Sequence, residues 1–346
     1  MSPLARRRWR QFTRNKRAYY SMWVFLGLFS LSLFAELIAN DKPIVMYHAG
    51  ELWFPVAVSY TDQELGGTLP SEAVYWDPFV LDLVESSGGW MLWPPIRFGY
   101  KVPDMYIETA APARPSARHW LGTDDTGRDT VALLIYGFRL SVLFGLALTL
   151  ISSSVGIAVG ALQGYFGGLV DLLGQRFVEI WAGLPILLLL IILASIVEPN
   201  VFWLLATLSA FSWMTVVGVV RAEFLRTRNF EYVRAAMALG DSDLSIMVRH
   251  VLPNAMTAAL TFLPFILSGA VTTLTALDFL GFGLPAGSPS LGALLAQGKT
   301  NLHAPWLGLT GFVTVGVMLT LLIFVGEGVR DAFDPRRTMV ASGVAR

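Results

Sequence analysis

Six long segments of this chain carry almost no charge, and each is long enough to cross a lipid bilayer. A helix needs about 20 apolar residues to span the hydrocarbon. The segments cover residues 19–40, 140–162, 177–197, 199–220, 251–277 and 304–326. Because lipid offers backbone amides no water, and no segment alternates like a barrel strand, each is predicted to be helical. The sequence therefore predicts an all-α polytopic membrane protein with six transmembrane helices.

The composition supports this class and excludes several kinds of site. Charged residues make up 14% of the chain, whereas soluble domains carry about 25%. The formal net charge of +0 gives no indication of nucleic-acid binding. The protein is predicted to be surrounded by membrane lipid. The chain has no cysteine, and its four histidines lie in no metal-binding spacing, so no metal site is expected.

The distribution of Lys and Arg predicts the orientation of the spans. Seven cations precede the first span, five arginines lie within 221–250, and Arg330, Arg336 and Arg337 follow the last span. These regions are predicted to be cytoplasmic, so both termini lie inside. The segment 41–135, with six basic and thirteen acidic residues, is then outside.

The predicted organisation has five parts. They are a cytoplasmic basic tail (1–18), a first transmembrane helix (19–40), an external insert with its lead-in (41–135), a five-helix core (136–329) with a cytoplasmic loop (221–253), and a cytoplasmic tail (330–346). The first helix has the basic lead of a cleaved signal peptide, and RRRWRQF hints at a twin-arginine signal. Its length and the lack of a clean A-x-A site favour an uncleaved anchor.

The insert at 41–118 is rich in Pro, Gly and aromatic residues, and it is too long for a simple connector. Its prominent aromatic residues are Trp53, Phe54, Tyr75, Trp76, Trp90 and Trp93. We expect them to pack in a small core or to lie at the membrane interface, and docking of a partner is the alternative.

The loop between spans four and five has the spacing of two short helices joined at Gly240. Candidate caps are Thr227 or Asn229 for the first helix and Asp241 or Ser242 for the second. Gly240 suits a left-handed helix end, and Val233, Ala236 and Leu239 or Gly240 are expected on one face. The small residues Ala235, Ala236 and Gly240 permit close approach of another backbone. An amphipathic connector on the lipid surface would show the same spacing.

Motifs in this loop and in the core resemble one family. Arg234-Ala-Ala-x-x-x-Gly240, followed nine residues later by His250-x-Leu252-Pro253, resembles the EAA loop of ABC importer permeases, with Arg234 in place of Glu and His250 in place of Ile. Similar stretches of the dipeptide/oligopeptide group lie at 120–129, 136–141, 164–168, 278–283, 289–292 and 328–335. The resemblance spans about 119–335, and it is strongest to the second permease of microcin C and oligopeptide uptake systems of Gram-negative bacteria.

This resemblance implies a type I ABC importer permease core with a periplasmic insert between the first and second spans, in a bacterial inner membrane. The chain would form half of a translocation pathway for oligopeptides, with microcin C-like peptides as one candidate. It would bind no cofactor itself, because ATP and Mg belong to a partner. The implied partners are a second homologous permease in a heterodimer, two ATP-binding subunits or one fused double ATPase, and a periplasmic peptide-binding protein. The implied ATPase contacts are Arg234, Ala235, Ala236, Leu239, Gly240 and Asp241.

The stretch Gly292–Thr300, GALLAQGKT, looks like a phosphate-binding loop but does not meet its requirements. The motif needs four residues between its glycines and a preceding strand, whereas five residues separate Gly292 from Gly298. The segment is also predicted to be external, where ATP is scarce. We expect a re-entrant or interfacial turn here.

Span five carries hydroxyl groups and glycine suited to a polar pathway. The candidate pathway residues are Ser268, Thr272, Thr275 and Asp278. Helix–helix packing favours the same small residues and remains an alternative. The acidic residues Glu36, Glu179, Asp278 and Glu327 lie near span ends, where they are expected to reach the membrane interface or to pair with Arg176 or Arg330.

Two other functions are compatible with a multi-span chain. A membrane enzyme would need a paired nucleophile and base, or paired carboxylates, at bilayer depth, and the sequence offers neither. A non-ATP-driven channel or a scaffold protein would not need a helix–Gly–helix loop or a separate ATPase. The sequence therefore favours an ATP-driven permease without enzymatic activity of its own.

Overall fold

Among the residues that the computed structural model describes (3–107, 109–198 and 200–333), four helices are long and apolar enough to cross a membrane. They cover Thr130–Phe166, Val201–Thr227, Asp243–Leu280 and Pro305–Phe333. A bent pair, Gly168–Ala182 and Ile186–Ala194, makes a fifth candidate span if its two halves count as one. The structure is therefore mostly helical, with four or five candidate spans against the six predicted.

The N-terminal region forms three helices, α1 (Pro3–Arg14), α2 (Lys16–Leu33) and α3 (Ala35–Ile38). The predicted first span, 19–40, is thus divided at Phe34, which lies between α2 and α3. Helix α2 is not among the candidate spans, because it has only 18 residues and begins with Lys16 and Arg17. Asn15 caps it by accepting a hydrogen bond from the amide of Ala18.

A small lobe at residues 41–96 contains three strands, so the all-α prediction is wrong for this segment. The strands β1 (Val45–His48), β2 (Glu51–Trp53) and β3 (Trp90–Leu92) form an antiparallel sheet in the order β2-β1-β3. Helix α4 (Pro78–Ser86) packs against it, capped by Asp77. The lobe has its own core, formed by Met46, Leu65, Ala73, Tyr75, Val80 and Val84. Trp53 and Trp93 border this core, which confirms part of the expected aromatic packing.

Helix α5 (Thr130–Phe166) is the longest of the described helices after the continuous helical run from Asp243 to Leu280. Asp129 caps its first turn through the amide of Ala132 at 2.9 Å. Gly156, Gly160 and Gly164 recur every four residues, where added Cβ atoms would meet the backbone of Trp213, just before helix α9, or of α9 itself. This spacing lets two apolar helices approach closely in lipid.

The segment predicted as a single third span, 177–197, is broken. Helices α6 (Gly168–Ala182) and α7 (Ile186–Ala194) meet at 61° around Pro185. Proline lacks an amide hydrogen and disfavours helix in the residue before it, which explains the break. The next helices, α8 (Val201–Ser212) and α9 (Met214–Thr227), form one span that is longer than the predicted 199–220. Pro199, where that prediction began, lies outside the described residues.

The chain then forms the short helices α10 (Glu231–Ala238) and α11 (Asp243–Ser245), and a π-helical turn (Ile246–Val251) leads into α12 (Leu252–Leu280). A ten-residue helix, α13 (Leu291–Thr300), precedes α14 (Pro305–Phe333). The turn expected at 292–300 is therefore a helix, capped by Ser290. The C-terminal cations Arg336 and Arg337 lie outside the described residues.

Candidate functional site

The elbow, residues 226–253, joins α9 to α12 through α10 and α11. Gly240 has a φ of +82°, as predicted, and Gly240 and Asp241 donate backbone hydrogen bonds to Met237 and Ala236. This pair of bonds is the Schellman motif that ends a helix at a left-handed residue. Ser242 caps α11, which confirms one of its two candidates. The proposed caps for α10 are wrong, since Phe230 holds the cap position and its side chain accepts no hydrogen bond from the first turn.

One side of the elbow packs into the helical core. Val233 and Ala236 are buried against Phe224 of α9 and against Ile246 and Val251 of the π-helical turn. Phe224, Val233 and Val251 are each fully buried. The elbow is therefore held rigidly by apolar contacts rather than lying loosely on a surface.

The other side of the elbow is open. Of the six residues predicted to contact an ATPase, five are exposed: Arg234, Ala235, Leu239, Gly240 and Asp241. Ala236 faces the core at 6% exposure, so its role is to seat the elbow. Leu239 is 87% exposed and does not share a face with Val233, because it lies at the end of α10 where the chain turns away. Because the elbow is rigid and the side chain of Leu239 is so exposed, that side chain is available to a partner protein.

Two polar contacts join the elbow to the end of α5. The hydroxyl of Tyr165 donates to a carboxylate oxygen of Asp243 at 2.7 Å. The guanidinium of Arg228 donates to the carbonyls of Tyr165, at 3.1 Å, and Gly164, at 3.4 Å. Arg228 thus satisfies carbonyls that the last turn of a helix leaves free. Sequence reasoning missed all three residues, because their contacts span more than 60 positions.

Further contacts hold the elbow itself together. Asn254 donates to the hydroxyl of Tyr232 at 2.6 Å, which ties α10 to the start of α12. A ring nitrogen of His250 lies 3.4 Å from a carboxylate oxygen of Asp241. His250 and Asp241 therefore connect the π-helical turn with the loop at Gly240.

The four predicted pathway residues do not share one environment. Thr272 is exposed, whereas Ser268, Thr275 and Asp278 are each 8% exposed. Thr272 donates its hydroxyl to the carbonyl of Ser268 at 2.8 Å. The open face of α12 consists of Gly269, Thr272, Thr273 and Ala276.

Asp278 organises the far end of α12. Its carboxylate accepts hydrogen bonds from the amide of Leu284, at 2.7 Å, and from the hydroxyl of Ser290. The loop 281–290 is thereby closed onto the helix. Among the other acidic residues near span ends, Glu179 pairs with Arg176 as expected, at 2.5 Å, and Glu36 pairs instead with Arg139, at 2.9 Å.

The glycines of GALLAQGKT serve helix packing rather than phosphate binding. A Cβ on Gly292 would meet Asp278 and Thr275, and one on Gly298 would meet the backbone of Gly308. The ammonium of Lys299 lies over the ring of Phe279, 5.6 Å from its centroid. The segment is a packed helix, so it lacks the open loop of amides that cradles a phosphate.

A polar network lies just before α5, outside the candidate spans. The ring of His119 is buried between two carboxylates, with Nδ1 at 2.8 Å from Asp129 and Nε2 at 3.1 Å from Asp104. Burial opposes the charged ring, but the hydrogen bonds and charges of Asp129 and Asp104 outweigh it and raise the pKa of His119. Burial likewise opposes ionisation of Asp104, but hydrogen bonds from Tyr106, His119 and Arg118 lower its pKa. Within the described parts of the chain, no group of three or more His, Cys, Asp or Glu side chains is placed to hold a metal ion.

Comparison with known proteins places these features in context. The model of the family described as binding-protein-dependent transport system inner membrane component matches residues 156–339. A second model, the N-terminal TM domain of oligopeptide transport permease C, matches residues 2–49.

Three relatives illustrate the similarity. The chain is 58% identical to the inner membrane ABC transporter permease protein YejE of Escherichia coli, over 98% of this chain and 99% of that protein. It is 55% identical to the peptidoglycan transport system permease protein YejE of Agrobacterium fabrum, over 97% and 94%. It is 35% identical to the oligopeptide transport system permease protein OppC of Lactococcus lactis, over 63% and 76%.

Proposed function

Because the chain belongs to the family of binding-protein-dependent transport system inner membrane components, we propose that its elbow is the surface through which a partner ATPase drives transport. The chain is a multi-pass permease subunit of an ABC importer in the inner membrane, and it is not a catalytic subunit. The observation that carries the proposal is the exposed surface of residues 234–241. The opposite side of this segment packs against α5, α9 and α12.

The proposed cargo is peptides. Relatives are named for oligopeptide, dipeptide and peptidoglycan transport, which supports a peptide-containing substrate for this chain. Oligopeptides are the proposed class, and microcin C-like peptides are one candidate within it.

The proposed topology has six spans with both termini in the cytoplasm. Four long helices and the bent pair α6–α7 account for five spans, and α2 with α3 would make the first. The match of residues 2–49 to an N-terminal TM domain supports that assignment. The cations before α2 and within 221–250 then lie inside, and the lobe lies in the periplasm.

Force applied at the open side of the elbow would reach three spans. Val233 and Ala236 pass it to α9 through Phe224, while Tyr165 receives it through Asp243. The elbow is also continuous with α12 through the π-helical turn. The small residues Ala235, Ala238 and Gly240 leave room for a partner helix or loop to approach the backbone.

Motion of α12 would in turn change the pathway. Its open face at Gly269, Thr272, Thr273 and Ala276 has small and hydroxylated side chains, which suit a polar substrate crossing lipid. The facing half of the pathway would come from a second homologous permease in a heterodimer. ATP and Mg would be bound by two ATP-binding subunits or one fused double ATPase, and a periplasmic peptide-binding protein would deliver the substrate.

The test uses the absence of cysteine from the chain. A single cysteine at Leu239 should react with a membrane-impermeant thiol reagent in inverted vesicles and not in intact cells. With the ATPase co-expressed, a short cross-linker should join the two proteins, and ATP should change the yield. A cysteine at the buried Ala236 is the matched control and should react only after denaturation.

Labelling of Leu239→Cys from outside would reverse the topology and remove the coupling mechanism. Inside labelling without a cross-link to the ATPase would show that the elbow does not contact it.

A further inference from the structure

The sheet of the lobe is covered on one face and open on the other, and the open face is apolar. Strand pairing sets Tyr47 opposite both Leu52 and Trp90, and Val45 opposite Leu92. Directly opposed residues in antiparallel strands point to the same side of a sheet. The outer face therefore consists of Val45, Tyr47, Leu52, Trp90 and Leu92, with no charged residue among them.

The inner face, with Met46, Trp53 and Met91, packs on the core of the lobe. On the outer face, Leu52 is 57% exposed, Leu92 is 52% exposed and Trp90 is 51% exposed. The rings of Tyr47 and Trp90 stack with centroids 6.5 Å apart, so the face is preformed rather than loose. An apolar face of this kind normally has a partner.

The charge of the lobe restricts what that partner is. Residues 41–96 contain eight acidic residues and a single cation, Lys42, which gives a formal charge of −7. Lys42 forms an ion pair with Glu72, so its charge is compensated locally. Phosphate-rich bilayer surfaces repel such a lobe, whereas a protein surface with lysines and arginines around an apolar patch attracts it.

We propose that the outer face of the sheet docks the substrate-binding protein of this importer, through an apolar patch on that protein ringed by Lys and Arg. This inference rests on the proposed function, and it assigns the partner to one surface of the lobe. Trp90, stacked on Tyr47, forms the centre of the contact, since rigid aromatic residues carry much of the energy of such interfaces. The net negative charge of the lobe speeds the encounter and makes it dependent on salt.

The experiment compares three glutamate variants in the assembled transporter reconstituted in nanodiscs, with the purified substrate-binding protein as the probe. Leu52→Glu and Leu92→Glu place a charge on the outer face, while Leu69→Glu adds the same charge to the same lobe at a position that is 58% exposed and off the sheet. We expect the first two to raise the Kd about tenfold or more, and the control to leave it within about twofold. Raising the salt concentration should weaken binding to the unmodified transporter.

Equal effects of all three variants, or none from the two on the sheet, would overturn the proposal. A spin label on Leu92→Cys gives a second reading, because it reports whether water, lipid or protein surrounds the face. It should be accessible to water without the binding protein and protected when that protein is added; protection by lipid alone would assign the face to the membrane instead. Transport and ATPase cross-linking at Leu239 are measured separately, so failure here is distinguishable from failure of the proposed function.

Discussion

The hydroxyl of Tyr165, one residue before the end of α5, donates a 2.7 Å hydrogen bond to the carboxylate of Asp243 at the start of α11. Tyr165 is 7% exposed, and its backbone carbonyl accepts from Arg228. Helix α11 continues through the π-helical turn into α12, but this hydrogen bond attaches it to α5. Loss of the hydrogen bond would let α11 move without α5.

Tyr165→Phe should reduce the peptide transported per ATP several-fold while the complex still assembles. A hydrogen bond to a charged group contributes about 1.5–3 kcal/mol, and the variant removes that without changing the ring. The measurement is transport and ATP hydrolysis in the same proteoliposomes. Tyr136→Phe is the matched control, since it removes a hydroxyl bonded to the carbonyl of Ala39 near the opposite end of α5. Equal uncoupling by both variants would contradict a specific role for Tyr165.

Gly164→Ala should destabilise the packing of α5 on α9 by about 1–3 kcal/mol, as overpacking typically does. The new methyl group would lie 2.6 Å from the carbonyl oxygen of Arg221. Thermal unfolding of the purified protein in detergent measures the effect. Gly218→Ala on α9 is the control, because nothing lies within 4 Å of its added Cβ. A melting temperature equally unchanged in both variants would rule out close packing at Gly164.

The loop before α5 should lose stability as the pH rises through the pKa of His119. That pKa is raised in the fold, so the contribution of His119 is complete below the unfolded value of about 6.5 and declines above it. Asp104, whose pKa is lowered, contributes above about pH 3.9 and loses its contribution on acidification. Hydrogen-exchange protection of residues 113–124 between pH 6 and 9 tests the first statement. His119→Gln should remove the dependence, and an unchanged slope would refute the assignment.

Thr272→Trp should block transport with assembly intact, because Thr272 lies on the open face of α12. Thr272→Val keeps the volume and removes the hydroxyl, which already bonds to the carbonyl of Ser268. We therefore expect the valine variant to transport nearly normally. Peptide uptake and ATPase assembly are the two measurements, and normal uptake by the tryptophan variant would exclude Thr272 from the pathway.

Local chemistry explains which parts of the fold the sequence predicted. The absence of charge located most of the spans, and Gly240 and Ser242 indicated the turn and cap of the elbow. Motifs such as Arg234–Gly240 pointed to the permease family, and the comparisons confirm that assignment.

Features that depend on tertiary contacts were missed or misplaced. Leu239 matched the helical spacing but lies beyond the last full turn of α10. The partners of Tyr165 and Glu36 lie 78 and 103 positions away, so no local pattern indicated them. Pro185 could have indicated the break between α6 and α7. The continuous hydrophobicity of residues 177–197 nevertheless led to the prediction of a single third span.

The π-helical turn at Ile246–Val251 has a consequence for the geometry of the whole importer subunit. A π turn contains one residue more than the α turn it replaces, and each residue of an α-helix advances the helix by about 100°. The wide turn absorbs this additional residue, so the direction in which Thr272 points, relative to the elbow, depends on the turn remaining π-helical. Conversion of residues 246–251 to regular α-helix, with no residue deleted, would turn the open face of α12 by roughly a quarter of a revolution. The angular phase between elbow and pathway is thus set by the winding of one short segment.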